Sequence, residues 1–147
     1  MISTHSVSIP KELAELIVEQ RRLNPQDRQG RGWQSVRYHS QPFPWFDAVF
    51  RSVEAQLGPV DAWWFNVNET TEYTNWHAHN NHKTVAVLYV TVPGGSIEFR
   101  QGESYWQETP KSGDLLAFPG TLEHRVMPNP STGTRISIAF NFSLTGK

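Results

Sequence analysis

His77-Ala78-His79, followed 45 residues later by His124 and then by Arg135-Ile136-Ser137, is the part of this chain whose residue types and spacing could do chemistry. Two imidazoles two residues apart on a strand point to one face. Neutral imidazole is a ligand for iron, zinc, copper and nickel. A third imidazole, brought in from a distant strand, would close one side of such an ion and leave the other open, an arrangement that suits non-haem iron. An HxH pair alone is a weak signal, because two surface histidines with no role are common. His124 strengthens it through its context. It follows Gly113-Asp114-Leu115-Leu116-Ala117-Phe118-Pro119-Gly120, a strand pattern ending in a tight turn that returns the chain to the mouth of a barrel.

Arg135 opens the last apolar run, eleven residues after His124. Its ordinary reading is a surface charge or an ion pair with one of the fourteen acidic residues. Its functional reading is a bidentate clamp on a carboxylate, with Ser137 on the same face as a further donor. A buried carboxylate needs such partners, and charge-assisted bonds of this kind contribute roughly 1.5–3 kcal/mol each. His82 is five residues from His77 and so falls on the opposite face of a regular strand; it reads as a rim or solvent residue. His5 and His39 read as surface residues.

Two helices and a set of short strands must position these groups. Residues 10–23 read as a helix: Pro10 suits a first turn, and Leu13, Leu16 and Ile17 with Gln20 form a stripe at helical spacing. Asn24-Pro25 ends it, and residues 25–35 form a polar loop. Residues 45–57 read as a second helix with Phe46, Val49, Phe50, Val53 and Leu57 on its buried face, stopped by Gly58-Pro59. From Asp61 onward the period changes. Residues 63–67, 84–90, 96–100, 114–118 and 135–140 are short strands separated by Pro/Gly/Asn turns. Two helices followed by seven or eight strands is an α+β order that is mainly β, its strand part a sandwich or jelly roll. There is no internal repeat or low-complexity segment. One domain over 1–147 is expected, with helical support in 1–60 and the strand core in 61–147.

Composition narrows the chemistry further. The chain has 147 residues, 13 basic and 14 acidic, with a formal charge of −1. That balance implies no general affinity for nucleic acid or anionic membrane. With no cysteine, zinc–thiolate and iron–sulfur sites are excluded, so a metal must be held by nitrogen and oxygen. The first residues lack a signal-peptide pattern and no stretch approaches the ~20 apolar residues of a membrane helix, so a cytoplasmic protein is expected. Of the six tryptophans, Trp33, Trp45, Trp76 and Trp106, with the Gly30-Arg31-Gly32 loop, are candidates for an entrance lining, though core packing explains tryptophan equally well.

From Trp64 to Asn141 the chain resembles the Fe(II)/2-oxoglutarate-dependent oxygenase superfamily, and within it a small bacterial and phage-type group with a His-x-His motif. The pieces are Trp64-Phe65-Asn66, His77-Ala78-His79, Leu88-Tyr89-Val90, Gly113 to Pro119, Leu122-Glu123-His124-Arg125-Val126 and Arg135-Ile136-Ser137-Ile138-Ala139-Phe140-Asn141. Gly32-Trp33-Gln34-Ser35 also looks like a recurrent piece of that group. The resemblance implies a double-stranded β-helix, a jelly roll with N-terminal supporting helices. It implies Fe(II), 2-oxoglutarate and O2 as the reactive partners and hydroxylation of a small-molecule or peptide substrate. His77 and His124 would be metal ligands. His79 would stand where the superfamily usually has Asp or Glu. Arg135 would bind the distal carboxylate of 2-oxoglutarate, with Ser137 and Tyr89 as helpers and Asn66 reaching its other end.

The chain departs from the group at Asn80 and His82, where Pro and Ser are usual, and at Val85-Ala86, where Ser-Gly is usual. These changes touch the pocket wall and no ligand. Three imidazoles leave the iron one unit more positive than two with a carboxylate, which strengthens attraction for dianionic 2-oxoglutarate. Two other readings compete. A cupin-type enzyme would use three histidines without 2-oxoglutarate, but the first cupin motif carries a Glu where this chain has Lys83 and Thr84, and Arg135 has no required task in it. A metal-free binding module would leave three converging histidines unexplained.

Overall fold

The structure, a computed structural model, describes residues 2–25 and 32–143. Most of the expected 25–35 loop, Gly30 and Arg31 included, lies outside the described residues. Two antiparallel sheets face one another. The larger is ordered β1 (Ser3–Ser6), β8 (Asp114–Pro119), β5 (His82–Thr91), β10 (Arg135–Ser143), β3 (Val60–Asn68), β2 (Trp33–Gln34). The smaller is ordered β4 (Thr74–His77), β9 (Glu123–Val126), β6 (Ile97–Gln101), β7 (Ser104–Glu108). This is the expected jelly roll with supporting helices.

Helix α1 (Leu13–Leu23) begins three residues later than Pro10, and α2 (Asp47–Leu57) is preceded by a 3₁₀ turn over Pro44–Phe46. Both pack on the outer face of the large sheet. Leu13 and Ile17 from α1 and Phe46, Val49 and Val53 join Trp63, Phe65, Val67, Ala86, Leu88, Ile138 and Phe140 in one buried cluster. Every second residue of β3, β5 and β10 is therefore apolar because it meets helices. The intervening residues face the small sheet. There Val85, Val87, Leu116 and Phe118 meet Ile97 and Phe99 in a second cluster.

The N-terminal segment is more than helical support. Ser3–Ser6 pairs with β8 and Trp33-Gln34 pairs with β3, so it supplies both edges of the large sheet. The strand expected at His77 ends there instead of beginning. Strands β1, β2, β7 and β9 carry no clear sequence signal. They are short or polar at an edge, where alternation is weak and pairing partners decide the conformation.

Three of the four tryptophans considered for an entrance serve packing. Trp33 is buried and its Nε1 donates to the Asn24 carbonyl at 2.8 Å. Trp45 stacks on Phe65, and Trp106 on Phe99. Trp76 lies beneath the guanidinium groups of Arg100 and Arg125. None of the four lines the cavity described below; Trp64 does.

Candidate metal and co-substrate site

The site lies between the sheets, on the inner face of β3, β5 and β10. Register places its groups side by side. Ser137 of β10 is opposite Asn66 of β3 on one side and Tyr89 of β5 on the other, and Arg135 is opposite Asn68. Inner positions of a buried strand are normally apolar. The run Arg135, Ser137, Ala139 on β10, with Trp64, Asn66, Asn68 on β3, marks a polar strip where the two sheets do not close. All of these residues line one cavity, whose empty space with its open mouth is about 680 Å³.

The histidines come from the small sheet. His77 ends β4 and His124 lies in β9, directly opposite it in register. His79 is in the turn beyond β4 rather than on a strand, so the two-residue alternation expected of the HxH pair is replaced by a fixed loop. The His79 backbone N–H donates to the Gly120 carbonyl at 2.7 Å, and the His82 N–H donates to the His79 carbonyl at 3.0 Å. A Cβ at Gly120 would lie 2.0 Å from the His82 carbonyl oxygen. Only glycine lets the 119–120 turn approach this loop so closely. The ring centroids are 4.1 Å apart for His77–His124, 5.0 Å for His77–His79 and 5.3 Å for His79–His124.

One ligand nitrogen from each ring lies within 4.8 Å of those of the other two, a group of three that could hold one ion. His77 Nδ1 is 2.7 Å from the Asn75 carbonyl and His124 Nδ1 is 3.1 Å from the Leu122 carbonyl. A carbonyl only accepts, so each Nδ1 carries the proton and each Nε2 keeps its lone pair. This is how metal-binding histidines are usually oriented by the groups behind them. Burial pushes all three below the ordinary histidine value, His79 to about 4 and His124 to about 3, with His77 as a neighbouring cation adding to both. At neutral pH the cluster is three neutral imidazoles, the form that binds metal.

These shifts give a stability prediction. A buried imidazole with a depressed value is neutral when folded and protonated when unfolded over the interval up to ~6.5, so the unfolded chain binds more protons there and stability falls as pH falls. His79 and His124 should each remove up to about 2 kcal/mol between pH 7 and pH 5 in the metal-free protein. Paired carboxylates titrate below that window. Thermal unfolding measured at pH 7 and pH 5 should show the loss, and His124→Gln should remove the share due to His124 and leave that of His79. A midpoint unchanged between the two pH values would contradict the assigned environment.

Arg135 is buried, 4% exposed, and no acid pairs with it. Its Nη2 donates to the Met127 carbonyl at 2.7 Å and the Glu72 carbonyl at 3.2 Å, which anchors the guanidinium. Its Nε and Nη1, and the Tyr89 hydroxyl, are buried without any partner. Burial raises the Tyr89 value well above the ordinary phenol range although Arg135 opposes this, so Tyr89 remains a neutral donor. Burial also lowers the Arg135 value. A buried guanidinium and phenol with unpartnered donors call for an acceptor, and a carboxylate is one chemical group that could supply it. Arg135 is thus not a surface charge, and among the described residues it has no ion pair.

Gly95 makes room for this arrangement. Its φ is +97°, and a Cβ there would lie 2.4 Å from Arg135 Nη1. Gly95→Ala should displace the guanidinium and, if Arg135 holds a carboxylate as the resemblance implies, weaken that binding by about tenfold or more, the loss of one charge-assisted bond, with metal content retained. Titration calorimetry with 2-oxoglutarate on the metal-loaded variant reads this directly.

His82 stands apart from the cluster. Its Nε2 lies 3.0 Å from Asp61 Oδ2, and its side chain is 13% exposed. His5 bonds the Ser3 hydroxyl at 2.9 Å, on the edge strand β1. Arg37, which no sequence motif marks, has its guanidinium 4.6 Å above the Trp64 ring, and Trp64 stacks on His79 at 5.8 Å. Alternation in β3 places Trp64 on the face of Asn66 and was the available signal for it.

The chain is thus a jelly roll whose cavity is lined by three imidazoles and by a buried arginine, with no acid paired to it among the described residues. The sequence profile of a family described as "Putative 2OG-Fe(II) oxygenase" matches residues 98–141, the stretch that carries His124 and Arg135. No curated protein matches the chain in sequence. In fold it is similar to a prolyl-4-hydroxylase from Pseudomonas putida (TM-score 0.63, 18% identity, 97% of this chain and 92% of that one). It is also similar to HygX from Streptomyces hygroscopicus, determined with nickel and 2-oxoglutarate bound (TM-score 0.65, 15% identity, 97% and 82%). A third likeness is an oxidoreductase of the 2OG-Fe(II) oxygenase family from Burkholderia pseudomallei (TM-score 0.54, 15% identity, 63% of this chain). The chain spans 50% of that protein's length. The resemblance read from the sequence thus extends to the family profile and to the fold. Among the described residues, no helix is long and apolar enough to cross a membrane.

Proposed function

We propose that this protein is an Fe(II)/2-oxoglutarate-dependent oxygenase that couples oxidative decarboxylation of 2-oxoglutarate to hydroxylation of a small-molecule or peptide substrate. The observation that carries the reading is the pairing, in one cavity, of three imidazoles able to hold a metal with the buried, acid-free donors of Arg135 and Tyr89. His77, His79 and His124 would hold iron through neutral nitrogens. Arg135 and Tyr89 would hold the distal carboxylate of 2-oxoglutarate, and Ser137 and Asn66, adjacent in register, would lie along its length. Iron with 2-oxoglutarate and O2 supplies the oxidising power for C–H hydroxylation, the co-substrate leaving as succinate and CO2.

The protein's own part is positioning and exclusion of water. Val85, Val87 and Ile97 form apolar walls of the cavity, which strengthens charge interactions inside it. A cupin reading shares the histidines but leaves the Arg135 and Tyr89 donors with no acceptor. Succinate release from 2-oxoglutarate, dependent on both iron and oxygen, tests the proposal. Metal binding with no 2-oxoglutarate binding or turnover would favour the cupin reading instead.

A further inference from the structure

Seven arginines lie among the described residues, and five of them pair with an acid: Arg21 with Glu69, Arg22 with Glu19, Arg51 with Asp47, Arg100 with Glu123 and Arg125 with Glu98. Among the described residues, the two without an acid partner are Arg135 and Arg37. Arg135 is buried in the lining of the cavity, and Arg37 lies over Trp64, which lines it too. Arg37 is exposed and lies flat on Trp64, whose ring stacks on His79, so its charge sits one aromatic ring away from the histidine cluster. A guanidinium laid on an indole keeps its donor edge free for a planar oxyanion.

The cavity wall adds a second observation. No Asp or Glu is among its lining residues. With three neutral imidazoles as ligands, a divalent ion and dianionic 2-oxoglutarate cancel, and the charges of Arg135 and Arg37 remain uncompensated. A cationic substrate would meet like charge at the mouth, whereas an anionic one would meet an idle guanidinium.

We propose that Arg37 binds an oxyanion of the substrate at the mouth of the cavity, so that the substrate is a small carboxylic acid or phosphate monoester. The proposal rests on the oxygenase reading above, which supplies the co-substrate charge. Arg37 acts as a specificity-determining residue: it fixes one end of the substrate beside His79 and leaves the apolar remainder to the cavity wall.

The test is equilibrium binding to nickel-loaded protein saturated with 2-oxoglutarate, followed by calorimetry. The probes are small carboxylic acids, each with its primary amide, and phosphate monoesters, each with its parent alcohol. Acids or phosphates should bind about 10–100-fold tighter than their neutral counterparts, the range of one charge-assisted contact. Arg37→Gln should reduce that ratio to about one and Arg37→Lys should keep part of it, because an ammonium retains charge without the fork. Acids favoured over phosphates, or the reverse, identifies the oxyanion. Equal binding of charged and neutral members, a preference that survives in Arg37→Gln, or no binding by any member overturns the proposal. Binding of 2-oxoglutarate is measured first on the same preparation. Its absence fails the oxygenase reading and this proposal together; normal binding with any of the three contrary results fails this proposal alone.

Discussion

His124→Ala should empty the metal site. His124 is 3% exposed, and it faces His77 across the β4–β9 pair. Removing even a group behind a ligand typically costs 10–100-fold in metal affinity, so loss of one of three ligands should cost more than about 100-fold. The expected readout is one iron or nickel per chain in the parent and essentially none in the variant after desalting, measured by elemental analysis. His79→Ala should also weaken the metal markedly. His82→Ala should not, because the loop that carries His79 is held by backbone bonds to Gly120 and by the His82 N–H, which alanine keeps. Unchanged metal binding in His79→Ala would reject the three-histidine set and leave His77 and His124 as a pair.

Arg135→Ala should abolish 2-oxoglutarate binding at working concentrations while leaving metal content intact. Two charge-assisted bonds at roughly 1.5–3 kcal/mol each correspond to a loss of about 10²–10⁴-fold in affinity. Arg135→Lys should recover little, since the ammonium cannot reproduce the fork, and its stem has to replace an anchor that now reaches two backbone carbonyls. Tyr89→Phe removes one neutral donor and should cost less, about tenfold. Calorimetric titration of metal-loaded protein separates these effects from metal loss. Parallel loss of metal and 2-oxoglutarate in Arg135→Ala would refute the division of roles between the histidines and the arginine.

Much of the fold could be read because both faces of the large sheet are buried. Trp63, Phe65 and Val67 alternate with Trp64, Asn66 and Asn68, and Ile136, Ile138 and Phe140 alternate with Arg135, Ser137 and Ala139. Period-two patterning with one polar face declares a strand whose inner side meets something other than apolar core. Helix ends were less sharp. The helix starts three residues after Pro10, because residues 10–13 form a turn closed by the Leu13 N–H on the Pro10 carbonyl at 3.1 Å. Edge strands were missed where Ser3–Ser6 and Ser104–Glu108 carry no clear alternation. Their conformation is dictated by β8 and β6, which offer unpaired backbone groups.

For the site, residue type and order were enough to name His77, His79, His124 and Arg135, because few side chains bind a metal or a carboxylate and these have few competitors in a cysteine-free chain. Sequence also carried the likeness that placed Tyr89, Ser137 and Asn66 near them. What it could not carry was the state of each group. Only the folded chain puts His77 opposite His124, turns each Nδ1 to a carbonyl, and pins Arg135 on Met127 and Glu72 with its remaining donors idle. Only there does Arg37, an unremarked surface cation in the sequence, come to lie on Trp64 beside His79. Ligand identity is a property of side-chain chemistry and is written locally. Burial, tautomer and unmet hydrogen-bonding capacity arise between residues far apart in the chain, so they exist only once the two sheets have closed.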